Sequence, residues 1–230
     1  MRSPGHSVSV LMSSGGDEGM RILKIEDMPK LESPFVRKMI DGKFMVTPEV
    51  APGYEWVFTD PATIATEKLN GTDVSIVIED GTITSIWNRT ERVPFINKGR
   101  RFIIDAVLES YDRGYCMLTD GQWFGEVIGK NVQGNPYSID YTVWLPFGAY
   151  VRDRLRYSSW GKYPKTYESI HSWFLDGPIS LFMLQRGIRD KLAEGVVFHN
   201  PGTGQMAKLR RDMFDFYTGS RHKEALADEQ

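Results

Sequence analysis

Glu67-Lys68-Leu69-Asn70-Gly71-Thr72-Asp73 sets a lysine between an apparent strand, Thr63-Ile64-Ala65-Thr66, and an alternating apolar run at Val74, Ile76 and Ile78. The pattern predicts that the amine sits in a tight turn between two strands. An amine with a reference pKa of about 10.4 is protonated and unreactive at neutral pH. Such a lysine attacks phosphorus only if burial or neighbouring cations lower that pKa. Gly71 lets the backbone come close to a ligand, and Asn70 and Asp73 supply polar groups beside it. Alone, so short a motif most often marks a surface turn, and the flanking chain has to decide.

Outward from it, Thr72 to Glu79 alternates, Asp80-Gly81 is a hairpin turn signal, and Thr82 to Asn88 alternates again. The lysine therefore opens a β-hairpin, and the returning strand runs into Asn88-Arg89-Thr90. Two cations, Lys68 and Arg89, then share one end of the hairpin, which suits a phosphate site. Upstream, from Arg21 to Phe58, short apolar groups such as Phe35-Val36 and Trp56-Val57-Phe58 are separated by prolines and predict short strands and loops.

Downstream, Phe102 to Tyr111 carries apolar residues at helical spacing with Gly114 as a stop. Arg100 and Arg101 at its start are expected to be solvent-exposed. Tyr115 to Leu118 and Trp123 to Ile128 predict two strands. The second holds Phe124-Gly125-Glu126-Val127-Ile128-Gly129, a glutamate whose flanking glycines favour a ligand-facing carboxylate. Ile139 to Leu145 is another expected strand, followed by Arg152, Arg154 and Arg156, the best local candidate for a phosphate-backbone surface, although a solvated helix face is commoner. Thr166 to Leu175 and Ile179 to Leu192 predict helices broken by Asp176-Gly177-Pro178. Glu194 to His199 and Gln205 to Arg210 predict the last strands. The four histidines, at 6, 171, 199 and 222, show no metal-ligand spacing.

A chain of 230 residues with 41% hydrophobic content supports one domain with a proper core. A net charge of -2 gives no overall sign of nucleic-acid binding, so that function would need local basic patches. The single cysteine, Cys116, excludes an intramolecular disulfide and fits a reducing, cytoplasmic compartment. No apolar run approaches the roughly 18 to 20 residues of a membrane span, and Ser7 to Met12 is too short and polar for a signal-peptide core. Residues 1–19 are expected to be disordered, 20–216 to form the domain, and 217–230 to be a tail with no further domain.

In their order along the chain, these motifs resemble the covalent nucleotidyltransferases, the superfamily of ATP-dependent ligases and capping enzymes, and within it the phage-type, nick-sealing RNA ligases. Glu67 to Asp73 looks like their lysine motif, and Arg89 matches their arginine motif. Phe124 to Gly129 is similar to their Phe-Gly-Glu-x-x-Gly strand, Glu194-Gly195-Val196-Val197 to Glu-Gly-x-Val, and Lys208-Leu209-Arg210 to the final Lys-x-Lys strand, with Arg210 in place of the second lysine. The matches run from about Thr63 to Phe214. The carboxy-terminal domain that many ligases carry is expected to have no counterpart after Arg210.

The resemblance implies an α+β, ATP-grasp-like nucleotidyltransferase fold of packed antiparallel sheets with flanking helices and the nucleotide in the groove between them. It implies that Lys68 attacks the α-phosphate of ATP and carries AMP, with Lys208 and Arg210 contacting that phosphate and depressing the lysine pKa. Glu194 and Glu126 would hold Mg²⁺ or Mn²⁺, with Glu126 alternatively on the ribose. Glu67, Gly71, Asp73 and Arg89 would complete the nucleotide site, and Trp144, with Phe147 as its rival, would stack on adenine. The expected substrate is a nicked or broken RNA duplex, or an RNA/DNA hybrid. A small ATP-dependent DNA ligase and a non-catalytic nucleic-acid-binding module remain alternatives. Asn70 favours RNA, because DNA ligases usually have Asp there. The oligomeric state is not indicated.

Overall fold

The structure is a computed structural model that describes residues 24–96, 98–116 and 118–218. The segment expected to be disordered, 1–19, lies outside the described residues, as do Ile22, Leu23, His6, His222 and the tail from 219. In chain order the strands are β1 (Phe35–Ile40), β2 (Lys43–Val50), β3 (Ile64–Lys68), β4 (Thr72–Glu79), β5 (Thr82–Asn88), β6 (Glu91–Arg92), β7 (Gly121–Gly129), β8 (Thr142–Pro146), β9 (Gly195–His199) and β10 (Met206–Arg210). The helices are α1 (Trp56–Thr59), α2 (Arg101–Asp112), α3 (Arg152–Arg154), α4 (Tyr167–Asp176) and α5 (Leu181–Leu184), and Phe147–Val151 forms a π-helical turn.

The strands form three antiparallel sheets: the β1-β2 hairpin, a three-stranded β10-β9-β3 sheet and a five-stranded β6-β5-β4-β7-β8 sheet. The α+β architecture expected from the sequence is present. The chain crosses between the two larger sheets in the short link from Lys68 to Thr72, which is why the lysine motif sits where they meet. Asp80 and Gly81 both take positive φ, 52° and 69°, the conformation a tight hairpin turn needs.

Period-two alternation divides the faces. In the three-stranded sheet Ala65, Val196, Phe198, Ala207 and Leu209 face a core completed by Ile170 and Phe174 of α4. In the five-stranded sheet Val74, Ile76, Val127 and Trp144 face Ile103, Ile104 and Val107 of α2. A third core joins Leu69, Ile128, Val143 and Leu145 to Tyr150, Leu155 and Phe182. Thr166 caps α4 by accepting from the Ser169 amide at 3.3 Å.

Three elements differ from expectation. Tyr115, Cys116 and Leu118 lie outside any strand, because the Tyr115 amide closes the end of α2 on the Ser110 carbonyl at 2.9 Å. The apolar spacing of 179–192 yields only the four-residue α5. An Ile179–Leu192 bridge ties the ends of that segment, and Gly187 with φ 79° turns the chain back. Trp56-Val57-Phe58 is helical rather than extended, with the Phe58 and Thr59 amides bonded to the Glu55 carbonyl. Among the described residues no helix is long and apolar enough to cross a membrane.

Candidate active site

Lys68 ends β3, where it pairs with Gly195 of β9, and Gly195 pairs on its other side with Arg210 of β10. Residues in one row of a sheet share a face, so Lys68 and Arg210 project together on either side of Gly195. A Cβ at Gly195 would lie 2.2 Å from the Leu209 carbonyl oxygen and 2.8 Å from the Arg210 Cα, so the row closes only around a glycine. Two residues earlier, Thr66, Val197 and Lys208 form the next row on the same face. The opposite face belongs to the core, and this alternation fixes the cations outward.

Glu194 immediately precedes β9 and is anchored by the Arg211 amide on its carbonyl at 2.9 Å. Its carboxylate accepts from the Lys68 ammonium at 2.8 Å, and both side chains are largely covered, at 23% and 22% exposure. Burial pushes the Lys68 pKa down, but Glu194 and Glu126 pull it up, and the amine sits above the ordinary lysine value. This corrects the expected depression: Arg210 does push the pKa down, yet more weakly than the carboxylates pull it up. Arg210 itself is held by Asp212, Nε to Oδ1 at 3.0 Å.

The five-stranded sheet supplies the other wall. Asp73 of β4 pairs with Glu126 of β7, so their side chains share a face. Asp73 Oδ1 is buried with no hydrogen-bond partner among the described residues. Burial and then Asp27 raise its pKa to about 6, against the opposing pull of Arg89 and Lys68. Arg89 follows β5 with φ 55° and meets Asp27 at 3.3 Å, with its side chain largely exposed. The structure thus gathers Lys68, Glu194, Arg210, Glu126, Asp73 and Arg89 at one place. Asp27, in a loop without any motif, and Tyr137, whose hydroxyl accepts from the Asn70 amide at 2.8 Å, were not legible in the sequence.

Three candidates take different roles. Glu67 points to the opposite face of β3 from Lys68 and is 1% exposed. Its carboxylate accepts from Ser180 Oγ at 2.5 Å and the Phe182 amide at 2.8 Å, so it ties α5 to β3 and does not reach the groove. Gly71 makes a close approach, but to protein: a Cβ there would lie 2.1 Å from the Val127 carbonyl oxygen. Trp144 is 0% exposed, packed under α2 with its indole N–H on the Val74 carbonyl at 2.9 Å, and cannot stack on a base. Gly125, whose Cβ would lie 2.6 Å from that indole, makes room for it. Phe147 is half-buried at the start of the π-helical turn.

Along the Lys208 face, His199 shares a hydrogen bond of 3.0 Å with Thr66 Oγ1. Burial, reinforced by Arg152, lowers its pKa to about 4, so it is neutral at physiological pH. Thr66 also forms a bridge with Arg156, which brings two of the three alternating arginines beside this face.

Among the described residues no group of three or more His, Cys, Asp or Glu side chains could by itself hold a metal ion. A magnesium-like ion, which takes one or two carboxylates and completes its shell with water and phosphate oxygens, would draw on Glu194 and Glu126, the two carboxylates that act on Lys68. Chemically the groove offers a charged amine, a carboxylate in contact with it, and cations beside it for a polyanion.

No protein-family model matches the chain, and no curated protein matches it. Solved structures of an RNA ligase from Naegleria gruberi are similar to it. The form with PPi is 18% identical over 64% of this chain and 49% of that one, with a TM-score of 0.41. Two mutant forms with ATP and Mn are 14% and 15% identical, cover 78% and 81% of this chain and 59% and 61% of those, and score 0.43 and 0.41. The chain spans between about half and three fifths of the length of these structures.

Proposed function

We propose that this chain is an ATP-dependent polynucleotide ligase of the nucleotidyltransferase type, acting on RNA ends through AMP carried on Lys68. The observation that carries this reading is the Lys68 amine, 2.8 Å from Glu194 and in one sheet row with Arg210, facing a wall that bears Glu126 and Asp73.

In the proposed reaction the Lys68 ammonium first gives its proton to Glu194, the carboxylate already in contact with it. The free amine attacks the α-phosphorus of ATP, a nitrogen–phosphorus bond forms, and the bond to pyrophosphate breaks. Arg210 and Lys208 neutralise charge that accumulates on the α-phosphate oxygens. The 5′-phosphate of a nucleic-acid end then displaces the lysine and takes the AMP. A 3′-hydroxyl attacks that phosphate, the phosphodiester forms and AMP leaves. A divalent cation bound at Glu126, with Glu194 as a further ligand when it is unprotonated, would supply further charge neutralisation for the phosphates. Phe147, rather than the buried Trp144, is the aromatic that stacks on adenine.

Incubation with ATP labelled at the α-phosphate and Mg²⁺ should leave label on the denatured wild-type protein and none on Lys68→Ala. No label on wild type, or equal label on the variant, would sink the mechanism. Nicked duplexes with RNA, hybrid or DNA 3′-hydroxyl strands then fix the strand preference, and RNA is the expected one.

A further inference from the structure

Arg113, Arg154 and Arg186 come from the turn after α2, the end of α3 and the turn after α5, and converge on one cleft of about 430 Å³ with Tyr115, Tyr141 and Tyr150. None of the groove residues around Lys68 lines it. Its size falls in the ~300–1,000 Å³ range of ligand sites. Guanidiniums brought together without matching carboxylates repel one another, so such a cluster is stabilised by an anion. Among the described residues Glu109 alone pairs with one of them, accepting from Arg113 Nε at 2.7 Å.

The three arginines are not equivalent. Arg186 is committed to the protein: Nε and Nη2 donate to the Tyr141 hydroxyl at 3.1 and 3.0 Å, Nη1 to the Phe182 carbonyl at 2.8 Å, and its plane covers the Phe182 ring at 3.5 Å. It thereby fixes Tyr141. Arg113 stacks on that tyrosine at 4.0 Å, and beyond its Nε bond to Glu109 its side chain makes no other hydrogen bond among the described residues. Arg154 makes no ion pair among the described residues and lies 5.5 Å from the Tyr150 ring, which in turn packs 4.6 Å from Tyr115. The cleft therefore offers two available forks, suited to phosphate, beside the half-buried rings of Tyr115 and Tyr141, with Tyr150 buried behind them.

We infer that this cleft is a second, non-covalent site that binds a nucleoside phosphate, with Arg113 and Arg154 on the phosphate and the base against the tyrosines. The nucleoside phosphate is one unit of an RNA strand or a free mononucleotide. The site is independent of the chemistry at Lys68.

Binding of a 5′-phosphorylated RNA pentanucleotide, of AMP and UMP, and of inorganic phosphate is to be measured on the full chain as wild type, Arg113→Ala/Arg154→Ala and Lys68→Ala. The double variant should bind the pentanucleotide about 10-fold more weakly, with a salt dependence shallower by about one to two counterions. Its melting temperature and self-adenylylation should match wild type, and Lys68→Ala should retain the binding. A probe carrying 5-iodouridine should photocrosslink to Tyr115 or Tyr141 in the wild type, a readout that needs no variant to fold. If the mononucleotides show the loss and the pentanucleotide binds no better than they do, the site is one for free nucleotides. Unchanged affinity of the double variant for every probe, a loss that follows Lys68→Ala instead, or crosslinks confined to the Lys68 groove would overturn the inference.

Discussion

The Lys68 amine and the Glu194 carboxylate lie 2.8 Å apart, and this contact holds the lysine in its charged, unreactive form. Replacing the carboxylate by an amide removes the main upward pull on the amine. Glu194→Gln should therefore lower the Lys68 pKa, read from the pH dependence of amine labelling or from the lysine Nζ resonance. Self-adenylylation should nonetheless fall by roughly 10²–10⁴-fold, because the proton acceptor is gone. A variant with a lowered pKa and undiminished adenylylation would remove Glu194 from the reaction.

Glu67 makes stability depend on pH. Burial, only partly offset by hydrogen bonds from Ser180 and Phe182, raises its pKa from 4.5 to about 7. An acid with a raised folded pKa binds its proton more tightly in the folded state. Its contribution is fully present below about pH 4.5, declines as the pH rises from 4.5 to 7, and is gone above that. The expected loss is on the order of 3 kcal/mol. Urea midpoints of wild type and Glu67→Gln across pH 4 to 8 should diverge over this window, with the variant the flatter; parallel curves would contradict the assignment.

Gly195→Ala should destabilise the fold by about 1–3 kcal/mol or more, because the added methyl meets the Leu209 carbonyl and the Arg210 Cα rather than a mobile side chain. Urea unfolding measures it. Separation of β9 from β10 should also impair adenylylation, since Lys68 and Arg210 are aligned only through this residue.

Trp144 and Phe147 should separate cleanly. Trp144→Ala should cost about 3–5 kcal/mol, with the loss seen in thermal unfolding. Phe147→Ala should lower the melting temperature less than Trp144→Ala, because Phe147 is only partly packed against the third core, and weaken ATP binding by about 10-fold, in line with the ~1–3 kcal/mol of a stacked base. Unaltered ATP affinity in Phe147→Ala would return the adenine contact to another residue.

The strands that carry the groove were readable because each buries one face. Alternation at Val74, Ile76 and Ile78, and at Val196 and Phe198, assigns the opposite parity to solvent or ligand, and that parity holds Lys68, Lys208 and Arg210. Trp144 was misplaced for a related reason. A strand between two cores is apolar at every position, so its pattern does not say which face a given aromatic takes. The segment 179–192 failed because its apolar spacing is satisfied by a loop folded over Glu67, a partner more than a hundred positions away.

By itself the sequence determined most of the strands, the hairpin after Lys68 and the ordered series of cations and carboxylates, because these follow from local periodicity and turn chemistry, whereas the packed antiparallel sheets were implied only by the family resemblance. Tertiary structure alone decided that Glu194 charges the lysine rather than leaving it depressed, that Glu67 faces away from the groove, that Asp73 has a buried oxygen with no partner among the described residues, and that three distant arginines share a cleft. The physical reason is common to all four. A pKa, a satisfied hydrogen bond and a charge cluster are set by distances through space, and spacing along the chain does not encode those distances until the sheets have met.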